Sequence, residues 1–290
     1  MCGIVGLHLR NPDLYPRLGE LLTGMLCEMG ERGPDSAGVA VYGDPTMTPP
    51  GRACVSVLQT EPRAADLGID ATVARYDETY LVTADVESAE LLDAVRTAHP
   101  DAVTAGFGTD MAVLKGVGHP RVLTESWELA KAQGWQGVGH TRMATESAVT
   151  PAGCHPYAVG PEQCLVHNGS FSNHATIRRE LRAAGVRFDS ENDTEVGARF
   201  VAKQLADGAD METALKRLCA VFDGFYTLLV SNRDSFAVVR DAIACKPAVI
   251  AETDDWVAVA SEYRALADLP GVSAAKIYEP EPEVVYVWTR

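Results

Sequence analysis

The chain has 290 residues, enough to bury a substantial core, and its 40 acidic against 25 basic residues leave a formal net charge of -15. That balance repels phosphate backbones and anionic lipid, so nucleic acid and membrane surfaces are not expected partners. No apolar run approaches the roughly 20 residues needed to span a bilayer, and the first residues lack the layout of a secretory signal; a cytoplasmic location is expected.

In chain order, Cys2 directly follows the initiator Met1, and cysteine is small enough for an aminopeptidase to remove that methionine. Gly3 to Leu9 is an apolar run suited to a buried strand. Leu14, Leu18, Leu21, Leu22, Met25, Leu26 and Met29 fall at helical spacing and predict a helix ending near Gly30. "ERGPDSAGVAVYG" reads as a loop running into an alternating strand, Val39 to Tyr42, and "GDPTMTPPGR" (43–52) as a turn-rich surface connection.

Residues 61–134 change in character. "TYLVTADV" is β-rich, while "SAELLDAVRTAH" and "TESWELAKAQG" read as helices, which predicts an inserted α/β segment. The glycines of "GFGTDMAVLKGVG" fit neither nucleotide-loop spacing, so a strand and turn are expected there.

Helices are predicted in "SNHATIRRELRAAG", with Ser172 and Asn173 as capping candidates, in "DTEVGARFVAKQLADG", and near 211–221. Residues 225–262 then cluster β-formers between turns, the pattern of an antiparallel meander. Strands in runs and helices in runs favour an α+β architecture over a parallel sheet.

Seven cysteines, at 2, 27, 54, 154, 164, 219 and 245, are too scattered for a disulfide framework, and Cys27, Cys219 and Cys245 read as small buried apolar residues. Cys154-His155 and Cys164-x-x-His167 carry zinc-ligand types without the repeated spacing of zinc modules, and no metal is expected.

The chemistry starts at Cys2. As the first residue of a processed chain it would combine a thiol of pKa near about 8.5 with an α-amine of roughly 7.7–8.0, a nucleophile and its own base. Taken alone, Cys2 reads equally as a small residue opening a strand. Asn168-Gly169 after a strand is either a hairpin-turn dipeptide or a pair of oxyanion donors. Arg142 is either a surface ion-pairing residue or a fork for a carboxylate. Asp193 either caps the helix that follows it or accepts from an ammonium. Arg142 and Asp193 together would clamp an α-amino acid with its side chain aimed at Cys2.

"MCGIVG", "RGPDSAG", "GHTRMATES", "HPYAV", "HNGSFSN", "NDTEV", "RDAIACKPAVI" and "VASE" occur in the order seen in class II glutamine amidotransferases, and over roughly 1–50 and 135–290 the chain resembles that N-terminal-nucleophile family. The resemblance implies a four-layer α/β/β/α sandwich of two antiparallel sheets, of Ntn-hydrolase type, carrying the α/β insertion. It also implies L-glutamine as substrate, Cys2 as nucleophile forming a γ-glutamyl thioester, Asn168 and Gly169 as oxyanion hole, Arg142 and Asp193 as glutamine ligands, and Arg32 as a supporting loop residue.

Where the family often has Trp-Ala-Thr-His-Gly, this chain has Met143-Ala144-Thr145-Glu146-Ser147, a form closer to the stand-alone subunits of archaeal-type glutamate synthase and N-methylglutamate synthase. With Arg290 directly after the last β-rich segment, no acceptor domain is expected in this chain. The expected partner is therefore a separate flavin-dependent synthase, holding FMN and an iron–sulfur cluster, while this chain itself needs no cofactor. A catalytically silent glutamine sensor or scaffold is the alternative, and an amide hydrolase for a substrate other than an amino acid is disfavoured by the Arg142–Asp193 pair.

Overall fold

In the computed structural model, which describes residues 2–143 and 149–290, strand β1 (Gly3–Leu9) is buried on both faces. Val5, Leu7 and Leu9 point one way, towards helices, and Ile4 the other way, towards a second sheet. The continuous apolar run of the sequence is thus a strand sandwiched between layers.

β1 lies in a seven-stranded sheet, between β14 (Trp256–Ala260) and β8 (Gln136–Arg142), both antiparallel to it. β2 (Ser36–Tyr42) and β7 (Met111–Val117) extend the sheet beyond β8, and β13 (Val249–Glu252) and β15 (Lys276–Tyr278) extend it beyond β14. A five-stranded sheet faces it, in the order β16 (Tyr286–Thr289), β12 (Ser235–Arg240), β11 (Gly224–Ser231), β10 (Gln163–Phe171) and β9 (Tyr157–Gly160).

Ile4, Val138, Val166, Leu229, Phe236 and Val257 fill the space between the sheets. Helices α1 (Leu18–Glu28) and α3 (Pro120–Ser126) cover the outer face of the larger sheet. α4 (His174–Ala183), α5 (Asp193–Ala206) and α6 (Met211–Val221) lie outside the smaller sheet with their own apolar layer. This is the α/β/β/α sandwich.

A third sheet, β4 (Ala71–Tyr76), β5 (Thr79–Ala84), β3 (Ala53–Leu58) and β6 (Val103–Gly108), is backed by α2 (Ser88–Ala98) around a separate small core. It docks on the body through apolar side chains, Leu58 and Ala105 joining the layer between the two larger sheets and Cys54 and Leu81 the layer under the helices, and through polar bonds: Val113 N–H donates to Ser56 Oγ at 2.9 Å, and the Glu162 carboxylate accepts from Thr109 and from Asp110 N–H.

Several expectations change in detail. The helix predicted from Leu14 begins only at Leu18, because Pro12 and Pro16 hold residues Pro12–Arg17 in a 3-10 turn. "TESWELAKAQG" is not one helix: α3 ends at Ser126, and Glu128 turns the chain with φ of 51°. The 43–52 connection is partly interior, since the buried Asp44 accepts from the backbone of Thr46, Met47 and Gln133. The 225–262 meander splits, with β11 and β12 in one sheet and β13 and β14 in the other. Cys245 is exposed and Cys27 and Cys219 only half-buried, whereas Cys54, Cys154 and Cys164 are the buried thiols.

Candidate active site

The strand register sets the nucleophile's position. Gly3 pairs with Thr141 across β1 and β8, so Cys2 and Arg142 emerge side by side at one end of the larger sheet. Ile4 N–H donates to Ser261 Oγ at 2.9 Å and Ser261 N–H returns a bond to Ile4 O, which fastens the start of the chain to the end of β14.

Arg32, buried in the loop after α1, reaches both partners. Its Nε donates to Cys2 O at 3.0 Å, and its Nη1 meets the next residue along, Glu262, at 2.6 Å. That bond, then the Arg264 charge, holds the Glu262 carboxyl below its ordinary pKa.

The opposite wall comes from β10. Asn168-Gly169 is not a hairpin turn and does not follow a strand: both residues lie inside β10, opposite Thr227 and Tyr226 of β11. Gly169 adopts φ of 145°, and a Cβ there would lie 2.0 Å from Phe225 O, so only glycine fits. Asn168 Nδ2 donates to Cys2 O at 3.3 Å, joining the two sheets across the cleft.

Asp193 does not cap α5. Asn192 does, its Oδ1 accepting from Thr194 N–H at 2.8 Å, while the Asp193 carboxylate accepts from Phe171 N–H at 2.9 Å. Cys2, Arg142, Asn168, Gly169 and Asp193 all line one open cleft of about 810 Å³. Arg32 lies behind it, touching the backbone of Cys2. Of the departing segment after Arg142, only Met143 is among the described residues, at the cleft rim; residues 144–148, and Met1, lie outside them.

Residue-by-residue reading missed a group of histidines in the same cleft. His155 Nε2 and His167 Nδ1 both reach Thr194 Oγ1, at 3.0 and 2.9 Å, and the rings of His140 and His155 are 4.0 Å apart. Burial pushes the pKa of His140 down to about 3 and of His167 to about 4, and that of His155 well below its ordinary value. All three imidazoles are neutral at pH 7. Among the described residues, both nitrogens of His140, Nδ1 of His155 and Nε2 of His167 are buried without a hydrogen-bond partner. Lys246 also lines the cleft. The signal lies in the motifs "GHTR", "HPYAV", "HNG" and "CKPAVI", where only His155 and His167 carry a sequence-level reading, the disfavoured one as zinc ligands.

Among the described residues no cluster of three or more His, Cys, Asp or Glu side chains is arranged to hold a metal ion. Nor, among the described residues, is any helix long and apolar enough to cross a membrane.

Residues 140–268 match the family model described as "Glutamine amidotransferase domain". The chain is 47% identical to the glutamine amidotransferase-like protein GlxB of Rhizobium meliloti, over 99% of this chain and 98% of that protein. The chain belongs to the class II glutamine amidotransferases. A putative glutamine amidotransferase of Methanothermobacter thermautotrophicus is 28% identical to this amidotransferase, over 99% of both chains. Among solved structures, the glutamine phosphoribosylpyrophosphate amidotransferase of B. subtilis shares the amidotransferase fold with a TM-score of 0.64 at 19% identity; the match covers 99% of this chain and 47% of that one. The amidotransferase thus spans about half the length of that enzyme.

Proposed function

We propose that the protein hydrolyses the side-chain amide of L-glutamine to glutamate and ammonia, with Cys2 as nucleophile. The observation that carries this reading is the convergence of Cys2, Asn168, Gly169, Arg142 and Asp193, from both sheets and α5, on one cleft.

Once Met1 is removed, the α-amine of Cys2 takes the thiol proton and the sulfur attacks the carboxamide carbon. Asn168 Nδ2 and the Gly169 N–H stabilise the oxyanion. The amine returns the proton to the departing ammonia, and water then hydrolyses the thioester. Arg142 binds glutamine's α-carboxylate and Asp193 its α-ammonium, holding the amide over the sulfur. Arg32 acts one step back, fixing the Cys2 carbonyl and hence the direction of the thiol.

The ammonia is passed to a separate flavin-dependent synthase, of the glutamate synthase or N-methylglutamate synthase kind, whose FMN and iron–sulfur cluster would reside in that subunit. Support for such an acceptor comes from the form of the motif after Arg142, Met143-Ala144-Thr145-Glu146-Ser147, which resembles that of those stand-alone subunits.

Mass spectrometry tests the first part. A mature chain starting at Cys2, labelled there by a glutamine-mimicking electrophile and protected by glutamine, is the expected result. A chain that still begins with Met1 yet releases ammonia at full rate would overturn the mechanism. Ammonia release measured with and without candidate synthases tests the second part, which fails if the chain is fully active alone and binds none of them. A chain that binds glutamine but releases no ammonia in any complex would be the silent sensor instead.

A further inference from the structure

A second cavity lies away from the Cys2 cleft, where the inserted sheet meets the body. It has a volume of about 40 Å³ and is bounded by β6, by β9, by Lys115 of β7 and by Glu195 and Arg199 of α5. One water needs roughly 10–15 Å³ measured this way, so the space suits a few waters or one ion of similar bulk. The rings of Tyr157 and His155, 5.2 Å apart, stand between this cavity and the cleft.

Lys115 is out of place by its own strand's pattern. Met111 and Val113, on the same face of β7, belong to the apolar layer between the sheets, yet the next residue on that face is a lysine only 3% exposed. Its backbone is clamped from both sides by Thr79 Oγ1. Among the described residues its ammonium makes no hydrogen bond or ion pair, and its contact is the Tyr157 ring, 5.0 Å away.

The Tyr157 hydroxyl is likewise buried and makes no well-formed hydrogen bond, with the Ser190 side chain close by. The neighbouring charges are already engaged: Arg199 pairs with Asp189 at 2.7 Å and Glu195 at 3.1 Å, and the Glu195 carboxylate also accepts from Asp189 N–H, Ser190 N–H and the Ser190 hydroxyl. Burial lowers the Lys115 pKa to about 8, against the opposing pull of Cys154, Cys164 and Glu195, so the group is still mainly an ammonium at pH 7. A buried cation without a counter-ion is costly, and an anion beside it removes that cost.

We propose that this junction cavity is a binding site for one small monovalent anion, of the size of chloride or formate, held by the Lys115 ammonium and the Tyr157 hydroxyl. Both holding groups belong to the body, Lys115 on β7 and Tyr157 on β9, and the anion sits where β6 of the inserted sheet and Glu195 and Arg199 of α5 close over them.

The test uses the full chain at constant ionic strength, comparing chloride and formate with gluconate, which is too large to enter. Expected is a melting temperature higher by about 2–5 °C in the small anions, abolished in Lys115→Met, and an anomalous bromine peak in contact with Lys115 Nζ in crystals grown in bromide. Tyr157→Phe, which keeps the ring, should weaken the shift if Lys115→Met fails to fold. The bromine position decides the matter: density at Nζ that is lost in either variant supports the site, and its absence, with equal melting in all salts, leaves a cavity that holds only water and overturns the proposal.

Discussion

The cleft and the inserted sheet are built on opposite terms. The insertion keeps to pattern: α2 lays Leu91, Leu92 and Val95 on a four-stranded sheet around its own core, and apolar contacts from Leu58, Ala105, Cys54 and Leu81 together with a few hydrogen bonds dock the unit on the body. The cleft breaks pattern at nearly every position. It holds a glycine at φ of 145° inside a strand, an arginine buried behind a chain terminus, and three neutral histidines with unmatched nitrogens. Stability accounts for the first region and fails to account for the second, which is what a site maintained for chemistry looks like.

The contrast breaks most sharply at Cys2. Cys2→Ala should lower glutaminase kcat by at least about 10³-fold with an unchanged melting temperature; if turnover survives, the cleft is not the reaction site. Next in size, Asn168→Ala removes an oxyanion donor and should cost about 10²–10³-fold in kcat with little change in KM. Arg142→Ala and Asp193→Asn should act the other way, raising KM by about 10–100-fold with a smaller effect on kcat, since each removes a charged contact made in both ground and transition states.

The histidines sharpen the contrast through pH. Their native pKa values lie below the ordinary 6.5, at about 3 for His140 and about 4 for His167. Below pH 6.5 the unfolded chain takes up protons that the native protein refuses, so stability present above pH 6.5 is lost as the pH falls towards 4. At pH 5 the loss is on the order of 2 kcal/mol per imidazole, readable from urea midpoints at pH 7 and 5; a flat profile would mean these rings are solvated. The smallest effect belongs to the insertion. Glu162→Ala strips the acceptor from Thr109 and Asp110 and should cost about 1–3 kcal/mol in urea unfolding, while kcat stays as in the wild type.

The same division governs what the sequence made legible. β1, α2, α5 and α6 follow from apolar periodicity because packing decides them. The motif order carried the family, and it named residues that the fold brings to one cleft. Periodicity misjudged the places where local chemistry overrides it: prolines tightened the turn before α1, and Glu128 in a left-handed conformation ended the second predicted helix of the insertion. Asn192, to which the sequence reading gives no role, caps α5 in place of Asp193, because either side chain can cap and only tertiary contact with Phe171 N–H selects between them. The Arg32–Glu262 pair spans 230 residues, and the histidine cluster draws from three separated motifs, so neither has a local signature.

Gly6 sits midway along β1, where a methyl group would come 2.5 Å from Leu229 and 2.8 Å from Phe236 of the facing sheet. The two sheets therefore touch almost backbone to side chain beneath the nucleophile, and the strand bearing Cys2 is a short lever resting on that fulcrum. Adding even one carbon at position 6 would lift the lever's tip, so the reach of the thiol is gauged four residues away by an atom that is missing.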